Sequence, residues 1–257
     1  MKQETYLYLI GTAGSGKSTL SHTYHEWATV HGIDSIIVNL DPGAENLPYS
    51  PDVDICDWIS LKEIMNTHGL GPNGAQVACA DLIAVNIKEI KESIDAFKTD
   101  YVIVDTPGQL ELFVFRESGK LIMQSLRPDQ SIIGYLIDHI IAKNPSGFIT
   151  QLLLSLTTQF RIRLPQINML CKADLFTESE LDEIVSWAEN PELLETAISF
   201  QNATIYREMS EGILRLIQGF LGQTRLFPIS KKDYLGIDDL YTHIQYMHKG
   251  GEDVLPD

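Results

Sequence analysis

A short apolar run, Tyr6–Ile10, leads directly into Gly11-Thr12-Ala13-Gly14-Ser15-Gly16-Lys17-Ser18-Thr19, and the residues from Ser18 to His31 continue in amphipathic order. Few architectures satisfy strand, glycine-rich turn and helix in that order and spacing. The glycines let successive backbone N–H groups point inward, and the following helix N-terminus adds its dipole, so the loop is built to hold a phosphate. Lys17 supplies a point charge for the β- and γ-phosphates of a nucleotide, and the Ser18 hydroxyl supplies a ligand for Mg²⁺. Thr12 stands where ATPases of the cell-division-site and nitrogenase-iron-protein type carry an extra lysine, which disfavours that subclass.

Further along, short apolar runs alternate with longer helical stretches, the pattern of a mostly parallel, doubly wound α/β sheet of the P-loop NTPase kind with helical insertions. Strands are predicted at Tyr6–Ile10, Ser35–Leu40, Tyr101–Asp105, Ser131–Ile137, Gln166–Cys171 and Arg225–Pro228. Helices are predicted at Ser18–His31, Ile87–Phe97, Pro145–Phe160, Ser179–Glu189 and Ile237–His248, with a further tract around Ala203–Leu221. Two stretches exceed what a minimal strand–helix unit needs, Pro42–Asn86 and Pro191–Gln223. The expectation is one domain over residues 1–248 carrying these two insertions, followed by a loose tail at 249–257.

Composition narrows the function. Of 257 residues, 19 are Lys or Arg and 35 are Asp or Glu, a formal net charge of −16. Such a chain repels polyphosphate backbones and contains no basic block, so direct nucleic-acid binding is not expected. Cys56, Cys79 and Cys171 are widely spaced, which suggests neither a disulfide framework nor a zinc knuckle. No signal-peptide pattern and no apolar run of membrane-spanning length occurs, so a cytoplasmic protein without membrane contact is expected.

The other candidate site residues fall just after predicted strands, where α/β proteins place their functional loops. Val102-Ile-Val-Asp105-Thr-Pro-Gly108-Gln109 is an apolar strand ending in an acid, which suits Asp105 to hold Mg²⁺ directly or through water. Gly108 can turn its peptide toward a γ-phosphate. Asp41, in Asn39-Leu-Asp41-Pro42, is a candidate for contact with Mg²⁺ or the attacking water; the alternative is an Asp-Pro turn starter. Met169-Leu-Cys171-Lys172-Ala173-Asp174 looks like the [NTS]KxD segment of GTPases. A carboxylate at Asp174 can accept hydrogen bonds from guanine N1–H and N2–H₂, a pair adenine lacks, while Lys172 can lay its stem along the base. Cys171 departs from the usual Asn or Ser. Ser230 and Lys231, after the last strand, offer a second loop over the base.

With Gly71-Pro72-Asn73 added to these segments, and with Gln109-Leu-Glu111-Leu-Phe113 continuing the Asp105 loop, the chain resembles the GPN-loop GTPases of archaea and eukaryotes, in family order across nearly its whole length. The resemblance implies GTP/GDP binding with Mg²⁺ and a homodimer in which Gly71, Pro72 and Asn73 reach the partner's phosphates. Eukaryotic relatives are associated with RNA polymerase assembly and transport, which implies a protein client. Taken alone, Gly71-Pro72-Asn73 reads as a stiff surface turn with a short amide. Candidates for orienting the attacking water are Asp41, Asn73, Gln109 and Glu111.

Three other functions compete. A small-molecule kinase needs an arginine-rich lid, and only Arg161, Arg163, Arg207 and Arg215 approach one. A nickel-insertion GTPase needs a Cys/His cluster, and His22, His25, His68 and Cys79 form no obvious one. A nucleotide-bound scaffold with negligible turnover is the third. Leu110, Leu112, Phe113 and Phe115 are either a nucleotide-sensitive docking surface or ordinary core.

Overall fold

The structure, a computed structural model, describes residues 4–202, 204–221 and 225–249. Its strands are β1 (Thr5–Gly11), β2 (Ser35–Asn39), β3 (Val53–Asp54), β4 (Tyr101–Asp105), β5 (Ser131–Ile137), β6 (Gln166–Cys171) and β7 (Leu226–Ile229). They form one sheet in the order β3-β2-β4-β1-β5-β6-β7, with every pairing parallel. Parallel neighbours cannot be joined by a hairpin, so helical crossovers cover both faces. That is why β1 (TYLYLIG) and β5 (SIIGYLI) are apolar along most of their length and buried at every position.

The alternation along β1 sorts its side chains between two cores. Tyr6, Tyr8 and Ile10 join Val102, Val104 and Phe148 on one face; Leu7 and Leu9 join Trp27, Leu240 and Ile244 on the other. The covering helices are α1 (Lys17–Val30), α2 (Leu61–His68), α3 (Pro72–Val85), α4 (Ile87–Asp95), α5 (Leu110–Phe113), α6 (Glu117–Ser125), α7 (His139–Ala142), α8 (Pro145–Ile162), α9 (Glu178–Glu189), α10 (Pro191–Ser199), α11 (Ile205–Leu221) and α12 (Ile237–Lys249).

Strand register positions the site. Asp105 on β4 lies opposite Leu9 of β1 on one side and Asn39 of β2 on the other. The loops leaving β1, β2 and β4 therefore emerge together at one edge, and those leaving β6 and β7 emerge beside them.

The six predicted strands all form, three of them over the predicted residues, and β3 is an addition. Its two residues pair beyond β2 and are too few to carry a periodic signal. Within 42–86 the expected turn at Gly71-Pro72-Asn73 is instead a helix start: Gly71 is the N-cap with extended φ/ψ, and Pro72 opens the 14-residue α3. Proline suits the first helical position, where its missing N–H costs nothing. The 191–223 stretch holds two helices, α10 and α11. The first begins at Pro191 with the Asn190 side chain accepting from Glu192 N, a capping signal legible in the sequence. Most of the expected tail, from residue 250 onward, lies outside the described residues, as do Ala203 and Gln223.

Candidate nucleotide site

The loop after β1 turns through two left-handed glycines, Gly14 at φ 78° and Gly16 at φ 110°. Side chains rarely tolerate either conformation. Gly16 O then accepts the Leu20 N–H at 2.8 Å, closing the first turn of α1. The Lys17 ammonium folds back into the loop, donating to Gly11 O and Thr12 O at 2.9 Å each. Burial lowers its pKa, opposed by the charges of Asp105 and Asp41. The cation thus rests on two backbone carbonyls, at a point from which it can move to a phosphate. The hydroxyls of Thr12 and Ser15 are buried without a hydrogen-bond partner, as expected of groups that complete their bonding with a ligand.

Asp105 is 2% exposed. Burial raises its pKa, against hydrogen bonds from Ser18 and Tyr49 and the nearby Lys17 charge, which lower it. The Tyr49 hydroxyl donates to Asp105 Oδ2 at 2.7 Å, while Oδ1 is buried with no partner. A buried carboxylate with a free oxygen, beside the Ser18 hydroxyl, is a hard oxygen donor set of the kind Mg²⁺ prefers. Asp41 follows β2, the strand next to β4. Its Oδ1 accepts the Gly43 N–H at 2.9 Å as a turn starter does, and it also lines the cavity described next.

That cavity, about 180 Å³, lies between the phosphate loop and the insertion and is lined by Ala13, Asp41, Gln76, Gly108 and Gln109 among others. A Cβ built on Gly108 would sit 4.0 Å from Lys17 Nζ, so the cavity adjoins the ammonium. Gln109 is therefore brought to the phosphate end. Glu111 is exposed on the first turn of α5, and Asn73 is exposed near the start of α3; neither is in the cavity lining. Of the apolar residues after Asp105, Leu110, Leu112 and Phe113 are core, whereas Phe115 is 40% exposed with the Arg161 guanidinium 5.6 Å from its ring centre. Sequence reasoning missed Tyr49 and Gln76. Gln76 lies three residues beyond Asn73, a helical neighbour once α3 is known.

A second cavity, about 230 Å³, opens on the other side of the loop and is lined by Leu20, Cys171, Lys172, Asp174, Ser230 and Lys231 with their neighbours. Lys172 adopts a left-handed conformation, φ 60°, and its ammonium donates to Gly14 O at 2.8 Å. The base loop and phosphate loop are thereby tied together. Ser230, 2% exposed, donates its hydroxyl to Asp174 Oδ1 at 2.5 Å and accepts the Lys232 N–H at 3.0 Å. Ser230 thereby fixes one carboxylate oxygen of Asp174. Cys171 is buried in the core below, its thiol pushed up to about 12 by burial. Neither cavity has an arginine in its lining among the described residues, and no three His, Cys, Asp or Glu residues among them cluster as a metal site.

A parallel sheet with a glycine-rich loop of phosphate-binding form after β1, an acid closing the adjacent β4 and a cavity formed after β6 and β7 defines the P-loop nucleotide-binding fold. The family model described as "Conserved hypothetical ATP binding protein" matches residues 9–250. GPN-loop GTPase PAB0955 of Pyrococcus abyssi is 31% identical over 245 residues, covering 93% of this chain and 95% of that protein. Its crystal structure, that of a GTPase in apo form, superposes with a TM-score of 0.84, covering 95% of this chain and 97% of that one. GPN-loop GTPase 1 of Dictyostelium discoideum is 27% identical over 246 residues, 95% of this chain. The chain belongs to the GPN-loop GTPase family. It spans 61% of the length of that Dictyostelium protein and 57% of an Arabidopsis thaliana relative, GPN-loop GTPase QQT1. The family model's description mentions ATP while the relatives are named GTPases, a difference that the residues of the base cavity bear on directly.

Proposed function

We propose that this protein binds GTP with Mg²⁺, hydrolyses it to GDP and phosphate, and uses the two nucleotide states as a switch. The observation that carries the reading is the Ser230–Asp174 pair at the mouth of a cavity continuous with the phosphate loop through Lys172. A carboxylate aimed there accepts two bonds from guanine and meets no matching donor pair on adenine, leaving a polar group unpaired in the wrong complex. Ser18, Asp41 and Asp105 would hold the metal, which neutralises charge on the β- and γ-phosphates when bound. Lys17 would share that task.

The protein works as a homodimer on this reading. Asn73 is exposed and outside its own chain's cavity lining, which suits a group that acts on the second subunit's nucleotide. Gln109, Asp41 and Glu111 are the proposed groups around the attacking water, and the switch would report to a protein client in the cytoplasm, on an RNA polymerase-related assembly by likeness to eukaryotic relatives. Phosphate release measured with GTP and with ATP, each with Mg²⁺ and with EDTA, tests the enzymatic part. GTP-dependent, EDTA-sensitive release is expected; equal release from ATP would overturn it, and the scaffold alternative would stand if GTP bound without release.

A further inference from the structure

We infer that Gln76 is a further residue of the hydrolytic site, touching the γ-phosphate or its attacking water from within the same chain; this rests on the GTPase reading above. Helix α3 begins at the Gly71–Asn73 segment, and Gln76 is its fifth residue, about one turn on from Asn73. While Asn73 is exposed, Gln76 turns inward and lines the cavity with Ala13, Asp41, Gly108 and Gln109. Its Oε1 is buried without a hydrogen-bond partner. Its Nε2 would lie 3.4 Å from a Cβ built on Gly43, where Asp41 Oδ1 lies 3.3 Å from the same point. The amide is therefore packed beside the Asp41 turn at the phosphate end of the site.

A buried amide oxygen is costly to leave unpaired, and the cavity that Gln76 lines adjoins Lys17 and the loop carrying Gln109. A primary amide has both functions that hydrolysis needs at this point. Oε1 accepts a hydrogen bond from water, and the NH₂ donates to a phosphate oxygen. In the reaction the water oxygen bonds to the γ-phosphorus, the bond from that phosphorus to the β–γ bridging oxygen breaks, and the electron pair leaves with GDP. The water's proton passes to the released phosphate or to solvent. The amide takes no proton; it fixes the water's direction and balances charge. The same helix would thus offer Asn73 to the partner and Gln76 to its own chain.

Two variants test this. Gln76→Leu keeps the volume and removes both polar functions. It is expected to lower kcat by roughly tenfold or more, up to the ~100-fold scale of losing one positioned hydrogen-bonding group, with GDP affinity and melting temperature retained. Gln76→Glu places a negative charge against the γ-phosphate and is expected to weaken a non-hydrolysable GTP analogue at least tenfold relative to GDP, a selective loss that a packing role would not produce. Wild-type kcat in a folded Gln76→Leu protein, together with an unchanged analogue-to-GDP affinity ratio in Gln76→Glu, would overturn the assignment. So would parallel loss of GDP affinity and thermal stability in both. If the unmodified protein releases no phosphate from GTP, the GTPase reading fails by itself, and the analogue-to-GDP ratio still decides whether Gln76 meets the γ-phosphate.

Discussion

Replacing Ser230 by alanine isolates what the second base loop contributes. The hydroxyl makes two bonds, a 2.5 Å donation to Asp174 and a 3.0 Å acceptance from Lys232 N. Asp174 itself is exposed, so in the free protein water takes over the lost bond and the stability cost should be near the low end for a hydrogen bond, about 0.5 kcal/mol. Binding is affected differently. The freed carboxylate must be immobilised again when guanine arrives, at about 0.5–1.5 kcal/mol for one side chain. At 1.4 kcal/mol per factor of ten, GDP should bind roughly two- to tenfold more weakly. ADP cannot use the carboxylate and should bind as before. Calorimetric titration of both nucleotides, with thermal melts as a control on folding, reads all three quantities. Equal weakening of GDP and ADP would mean that Ser230 shapes the loop and does not aim Asp174, and unchanged GDP affinity would remove it from base recognition altogether.

Two further outcomes follow from the phosphate end. Asn73→Ala should leave GDP affinity nearly unchanged and lower kcat by roughly tenfold or more. Mixing it with a Lys17→Ala chain should restore one competent site per heterodimer, and absence of rescue where heterodimers demonstrably form would refute action across the interface. Tyr49→Phe removes the 2.7 Å donation that fixes one oxygen of Asp105. The buried carboxylate should then be less well aimed at the metal, and the Mg²⁺ requirement for tight GDP binding should rise about three- to tenfold, on the scale of about 1 kcal/mol for one hydrogen bond; an unchanged Mg²⁺ titration would make Tyr49 a packing residue only.

How much of this was legible in the sequence follows from where each signal resides. The strands were legible because each inner strand is buried on both faces and must be apolar along its length, and the P-loop, Asp105, Lys172–Asp174 and Ser230 were legible because they sit at fixed offsets from strand ends. Helix α3 was not. Its buried residues Ala75, Cys79, Ala80 and Ile83 are mostly small and give little contrast with the apolar residues around them, while Gly71-Pro72 reads locally as a turn. Tyr49 meets Asp105 across 56 positions, a contact set by the sheet order and by the path of the insertion. Gln76 gained its place only when α3 became a helix, since a turn would have given it no defined face. Cys171 illustrates the converse: the departure from Asn or Ser was visible, but that Ser230 orients Asp174 depended on β6 and β7 being neighbours.

The central claim is guanine selection by a phosphate-loop site, and calorimetric titration of the unmodified protein with GDP and ADP in the presence of Mg²⁺ tests it most directly. GDP should bind at least tenfold more tightly, a margin of about 1.4 kcal/mol that two bonds to Asp174 readily supply, and Asp174→Asn should erode it. Equal affinities for GDP and ADP would contradict the account and leave a generic nucleotide-binding protein.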